Sequence, residues 1–277
     1  MSSHPPAVPD PALWRLVETW ERACADFLVL VRGLTEAEGR LPTDLPGWDV
    51  HANVAHTTHL EAVLAGAPED TVEVPDAAHL TSPTSRYTEQ GVLARRGRTL
   101  AELADELEQA VATRLAALRA DPPTDAAAPA PRTPADQGWP TGLLLRNRPF
   151  DVWLHEQDVR RAVGRPGGYD SPAAAHTLDV LGSGLPMVVG KRVAPSPGST
   201  VRVVVPDADR SWTLVVGEDG RAVPGTDADP ATTTVTLSAE DLVVLGAGRR
   251  GPERVQARLE GDVATGERLL ASLAVTP

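Results

Sequence analysis

The apolar residues of this chain change period part-way along, and that change limits what it can fold into. In the first part they recur every three or four positions, as in Leu13, Val17, Trp20, Cys24, Phe27 and Val31. This spacing lays one apolar stripe along a helix. After Arg192-Val193-Ala194-Pro195-Ser196-Pro197-Gly198 they alternate, as Val201, Val203 and Val205, then as Trp212, Leu214 and Val216. Alternation puts every second side chain on one face of a strand. With 277 residues, the chain reads as two domains, a helical part over 1–192 and a small α+β part over 199–277.

Caps set the expected boundaries. Asp10 and Pro11 open a first helix that runs to Gly33, since Asp accepts from free N–H groups and Pro suits the first turn. Thr35-Glu36-Ala37-Glu38 has the spacing of a capping box and opens a short turn. A second helix spans about Asp49 to Gly66. A third begins at Thr99-Leu100-Ala101-Glu102 and carries Leu103, Leu107, Val111, Leu115 and Leu118. Residues 121–141, rich in Pro and Ala, read as a long loop. A fourth helix covers about Gly142 to Val163 and stops at Gly164, with Pro166 just beyond. A fifth starts at Ser171-Pro172. The first part is therefore expected to be an all-α bundle of four or five helices. In the second part Glu218-Asp219-Gly220 reads as a turn between strands and Thr232 to Leu237 as a further strand. Ser238 caps a helix, and Leu259-Glu260-Gly261-Asp262 precedes a last one. The sheet is expected to be mainly antiparallel.

A formal net charge of -12 argues against nucleic acid and anionic membrane surfaces as partners, because both require a basic footprint. No apolar run reaches the roughly 18 residues of a membrane span. The N-terminal Met1-Ser2-Ser3-His4 stretch lacks the features of a signal peptide. Cys24 is the single cysteine, so neither an internal disulfide nor a thiolate-rich zinc site can form. It reads as a packed core residue rather than a nucleophile. The expected location is the reducing cytoplasm.

The segment Phe150 to Arg161 carries the most chemistry. Asp151 and His155 stand four residues apart, on one side of a helix. They are either an ordinary surface pair or two ligands of a divalent cation. Asp158 and Ala162 share their face, beside Val152, Val159 and Val163, whereas Arg160, Glu156 and Gln157 fall elsewhere and read as solvated. Polar groups that border a buried face need partners, and a metal provides one. On the second helix His56 shares a face with Ala52, Asn53, His59, Leu60 and Val63, and His51 points away. His56 is a third candidate ligand, or else a hydrogen-bonded core histidine. His59 is a candidate fourth ligand, supporting partner or general base. Glu61 reads as a surface acid on the flank.

Other signals are weaker. His155-Glu156 is not followed by the second His of the zinc-protease motif. Gly182-Ser183-Gly184 lacks dinucleotide-binding spacing, and neither a phosphate loop nor a nucleophile elbow occurs. Arg95-Arg96-Gly97-Arg98 and Arg249-Arg250 are basic clusters in an acidic chain. They are solvated faces or a means of capturing a substrate carboxylate.

Taken together, Leu45-Pro46-Gly47-Trp48-Asp49-Val50 leading to His56, then Glu61 to Gly66, Phe150 to Gly167 and Val189-Gly190-Lys191-Arg192 resemble the mycothiol-dependent maleylpyruvate isomerase family. The resemblance covers most of the chain. It implies a DinB-like metal-binding helical bundle followed by a sterol-carrier-like α+β domain. It implies a divalent metal, usually taken as zinc, held by His56, Asp151 and His155. The family's isomerases carry Glu where this chain has Asp151, one methylene shorter, which bears on the substrate more than on the fold. Arg249 or Arg250 would assist the site from the second domain, and His59 or Asp158 would move protons or orient a ligand.

The resemblance also implies the chemistry. The metal holds the thiol of mycothiol as thiolate, which attacks an electrophilic carbon. In an isomerase the adduct forms at a conjugated double bond, the bond rotates and the thiol leaves; in a transferase the adduct is the product. The expected partner is a small electrophile or carboxylate substrate, with the chain a monomer or homodimer. Two rival readings are a non-enzymatic metal- and ligand-binding protein and a metal hydrolase that uses bound water.

Overall fold

Helices dominate the first of two compact units, Met1–Ala174 and Ala175–Pro277, in the computed structural model, which describes residues 9–275. Helix α1 (Pro11–Arg32) starts where its cap predicts, with Asp10 Oδ1 accepting from the Ala12 and Leu13 N–H groups at 2.7 and 3.1 Å. Its stripe of Val17, Trp20, Phe27 and Val31 is buried. The others are α2 (Val50–Leu64), α3 (Pro83–Arg95), α4 (Leu100–Ala120) and α5 (Thr141–Ala162). α1 packs along α5 and α4, and α2 along α4, α3 and α5.

Helix α2 sits at the centre. From Val50 to Val63 every residue except His51 is buried. A helix covered on all sides ordinarily carries apolar residues all round. This one also carries Asn53, His56, Thr57, Thr58, His59 and Glu61, and so brings polar groups into the interior.

Helix α3 is absent from the sequence expectation. Its apolar content is low, so no stripe announces it. Its start is nonetheless encoded: Pro83 takes the first position and Ser82 Oγ accepts from the Ser85 N–H at 3.1 Å. Gly91 lets α3 approach α2, because a Cβ there would lie 2.2 Å from the His59 ring. Cys24, on α1, is fully buried; burial, reinforced by the charge of Glu61, pushes its thiol well above the ordinary range.

In the second unit a five-stranded sheet runs in the order β3-β2-β1-β4-β5. The strands are β1 (Thr200–Val205), β2 (Arg210–Val216), β3 (Ala222–Pro224), β4 (Thr233–Leu237) and β5 (Ala257–Gly261). β1 pairs antiparallel with β2, Val203 opposite Trp212, and parallel with β4, Val203 opposite Val235. The remaining pairs, β2 with β3 and β4 with β5, are antiparallel. The sheet is thus mainly antiparallel with one parallel pair. Val201, Val203, Val205, Val235 and Leu237 form its buried face. The expected cap recurs at α7 (Ala239–Gly246), where Ser238 accepts from the Asp241 N–H; at α8 (Val263–Ser272) Asp262 accepts from the Thr265 N–H. Between β5 and α8 the chain turns at Gly261, whose φ is +78° and whose missing Cβ would lie 2.1 Å from the Thr232 carbonyl oxygen.

Helix α6 (Pro172–Met187) continues as a π-helical turn over Val188–Val193. Most of it groups with the sheet: Gly182 lies against the Trp212 indole and Leu181 against Gly246. The compact units therefore divide inside α6, between Ala174 and Ala175, upstream of the change of period near residue 192. Among the described residues no helix is long and apolar enough to cross a membrane.

Candidate metal centre

Each buried polar side chain of α2 needs a partner, and most have one. Thr57 and Thr58 donate to the Asn53 and Leu103 carbonyls. Glu61 lies between two arginines: Arg114 Nη1 donates to Oε2 and Arg148 Nε to Oε1, each at 2.9 Å. The expectation of a surface acid is corrected, since Glu61 is fully buried and its charge is balanced on both sides. Arg114 also lies 4.5 Å over the Trp20 ring.

His56 is different. Its Nδ1 is buried without a hydrogen-bond partner. Its Nε2 faces Asp151 Oδ2 at 3.8 Å, and His155 Nε2 faces Asp151 Oδ1 at 3.8 Å. The two imidazole rings meet edge to face, 4.6 Å between centroids. One ligand atom from each of His56, Asp151 and His155 lies within 4.8 Å of the others. Donor atoms about 2.0–2.1 Å from a tetrahedral zinc stand roughly 3.3 Å apart, so this set has the scale of a cation site and is wider than a closed one.

The supporting shell fixes one imidazole. His155 Nδ1 lies 2.9 Å from Asn53 Oδ1. The Asn53 amide cannot be reversed, because its Nδ2 donates to the Asp49 carbonyl at 2.9 Å and to Thr43 Oγ1 at 3.2 Å. His155 Nδ1 therefore donates to Asn53 Oδ1, and the ring is held with Nε2 facing Asp151. Asp158 Oδ2 is 3.5 Å from the same Nδ1, and Asp158 also pairs with Arg161.

Electrostatics favour the ligand forms. Burial, reinforced by His155 and Arg148 and opposed by Asp151, pushes the His56 imidazole well below its ordinary value, so it is neutral. Burial resists ionisation of Asp151, but Arg148, His155 and His56 outweigh it and hold the carboxyl at about 2. Arg148 Nη1 stands 3.1 Å from Asp151 Oδ2, which is buried and lacks an aligned hydrogen bond. Two imidazoles and a carboxylate with unsatisfied polar atoms fit a divalent cation of the zinc type. Trp48 covers the pair, its ring centroid 4.9 Å from that of His56 and 5.9 Å from that of His155.

The remaining candidates lie in other settings. His59 is fully buried against α3, with Nδ1 2.8 Å from Asp70 Oδ2 and Nε2 4.0 Å from Glu69 Oε2. Burial and the nearby Arg95 lower its pKa, against the pull of the two acids. Arg95 is buried and pairs with Asp70 and Glu106, which removes it from the solvated cluster expected around it. Arg249 and Arg250 follow α7 in the second unit and are half-buried, Arg249 Nη1 donating to the Ala247 carbonyl at 2.8 Å. Glu156 and Gln157, expected to be solvated, are buried, and Glu156 accepts from Arg160 at 2.7 Å.

Asn53, Arg148 and Trp48 were not singled out as site residues. Asn53 shares the wheel face of His56, and Arg148 precedes Asp151 by three positions on one helix. Both signals were present in the spacing. Nothing in the spacing brings Trp48 over the histidines.

The family described as mycothiol maleylpyruvate isomerase N-terminal domain matches residues 20–160. The crystal structure of the mycothiol-dependent maleylpyruvate isomerase is similar at 18% identity with a TM-score of 0.56, covering 88% of this chain and 92% of that one. A histidine-to-alanine mutant of that isomerase gives the same values. At this identity the likeness speaks for the fold. No curated protein sequence matches. The match over 20–160, which spans both helices that supply His56, Asp151 and His155, means that the chain belongs to the mycothiol maleylpyruvate isomerase family.

Proposed function

We propose that the chain is a metal- and thiol-dependent enzyme, an isomerase or S-transferase acting on a small electrophile, with mycothiol as the thiol. The observation that carries the reading is the convergence of His56, Asp151 and His155 from two helices, with His56 Nδ1 and Asp151 Oδ2 buried and without hydrogen-bond partners. When bound, a divalent cation supplies Lewis acidity and favours the thiolate form of a coordinated thiol. The chain's residues prepare for this. Asp151 is ionised, neutral His56 offers a lone pair, and Asn53 orients the His155 ring. Asp158 reinforces His155 from 3.5 Å. Trp48 shields the pair from water. Cys24 is buried with a raised thiol pKa, so the attacking thiol comes from outside the chain. His59 is engaged by Asp70 and supports the fold beside the site. An arginine of the second unit, Arg249 or Arg250, is proposed to meet the substrate.

The test pairs metal analysis with a thiol assay. Protein purified without chelator should carry stoichiometric divalent metal and consume an electrophile only when mycothiol is supplied. His56→Ala should lose both properties. Protein without stoichiometric metal would reject the site, and full activity without thiol would replace this reading with a metal hydrolase.

A further inference from the structure

A cleft of 590 Å³ opens on the first unit, lined among others by Arg40, Trp48, His51, Glu89, Arg96 and Arg98. Its size suits a small molecule. Its three acids are already engaged. Glu36 Oε1 accepts from the Leu100 N–H at 2.8 Å, Asp49 Oδ1 from the Ala52 N–H at 2.8 Å, and Glu89 Oε2 from Trp48 Nε1 at 2.8 Å. Its arginines are engaged only in part. Among the described residues the Arg40 side chain has no hydrogen bond or ion pair. Arg96 reaches only Glu89 Oε1, at 4.0 Å, and its side chain is 71% exposed. Arg98 commits Nη1 to Glu106 at 2.7 Å and leaves the rest of its fork open. His51 Nε2 donates to the Arg98 carbonyl at 2.7 Å and fixes the backbone that carries this arginine. Within an acidic chain, the unanswered polarity of this cleft is cationic and planar.

We infer that the cleft binds the carboxylate of a small organic acid through Arg40, Arg96 and Arg98. A guanidinium fork matches a carboxylate in two parallel hydrogen bonds. The engaged acids beside it disfavour a denser polyanion. The cleft also reaches the metal ligands through one residue: the Trp48 edge is tied to Glu89 in its wall, and the ring covers His56 and His155. That this acid is the substrate of the metal centre rests on the function proposed above; the binding itself does not.

The experiment uses the full chain treated with chelator, so that metal plays no part. Succinate, which has no electrophilic carbon–carbon double bond, is titrated against the Trp48 indole N–H signal, assigned with Trp48→Phe. A saturable shift is expected. The double variant Arg40→Ala/Arg96→Ala, both exposed positions, should weaken binding about tenfold or more while keeping the wild-type circular dichroism. Lys191→Ala in the second unit should bind as wild type. Inorganic phosphate at equal concentration should shift the signal less. Absence of a saturable shift, unchanged affinity in the double variant, or an equal response to phosphate would each overturn the assignment. Because the metal is absent, these outcomes are independent of whether His56→Ala loses metal.

Discussion

The two units differ in what they bury. The first encloses ionisable groups, among them His56, Glu61, Arg114, Arg148, His155 and Asp158. In the second, the buried polar residues among those described are threonines, such as Thr200, Thr213 and Thr233. A buried hydroxyl is satisfied by a single hydrogen bond, whereas a buried charge costs several kcal/mol unless a counter-charge and hydrogen bonds meet it. The sheet unit is thus a packing body with a chemically quiet interior. The bundle maintains a chain of alternating charge, Arg114–Glu61–Arg148–Asp151, that ends at the candidate ligands.

The contrast breaks most readily at Glu61. Glu61→Gln leaves Arg114 without a counter-charge and Arg148 with Asp151 alone, and a loss of about 3–5 kcal/mol is expected by chemical denaturation. Val235→Thr in the sheet core, which buries one hydroxyl, should lose about 1–3 kcal/mol. Equal losses would mean that the charged interior is no more demanding than the apolar one. A smaller effect is expected at Asn53→Ala, which removes the acceptor that aims His155. The fold should persist, and affinity for the divalent cation should fall about 10–100-fold in competition with a chromophoric chelator. Unchanged affinity would show that Asn53 does not orient His155 for the cation.

The mildest test is acid. The folded pKa values of His56 and His59 are depressed by burial. Below the unfolded value of about 6.5 the unfolded chain takes up protons that the folded one refuses. Stability from these groups is therefore present above that pH and is lost as pH falls. The Tm of chelator-treated protein should decline between about pH 7 and 5, with a shallower slope in His59→Asn. An unchanged slope in that variant would place the sensitivity elsewhere.

Much of this was legible in the residues. The change of period separated helices from strands, and Asp10, Thr99 and Ser238 cap helices as their types suggest. The i,i+4 spacing of Asp151 and His155 put both on one side of α5, and His56 joined them through its wheel face. Helix α3 was not legible, because it is held by polar contacts: Arg95 with Asp70 and Glu106, and Trp48 with Glu89. Glu61 and Glu156 read as solvated for one reason. A charged side chain looks solvated in a sequence, and only the partner brought by another helix, or by the next turn, makes its burial tolerable.

The lone cysteine gives this chain a built-in gauge of opening. Cys24 has no exposed surface and a thiol whose pKa is raised by burial, so a thiol-reactive dye finds little thiolate to label while α1 stays packed. Any labelling then reports molecules in which α1 has come away, and its rate measures the opening of the bundle directly.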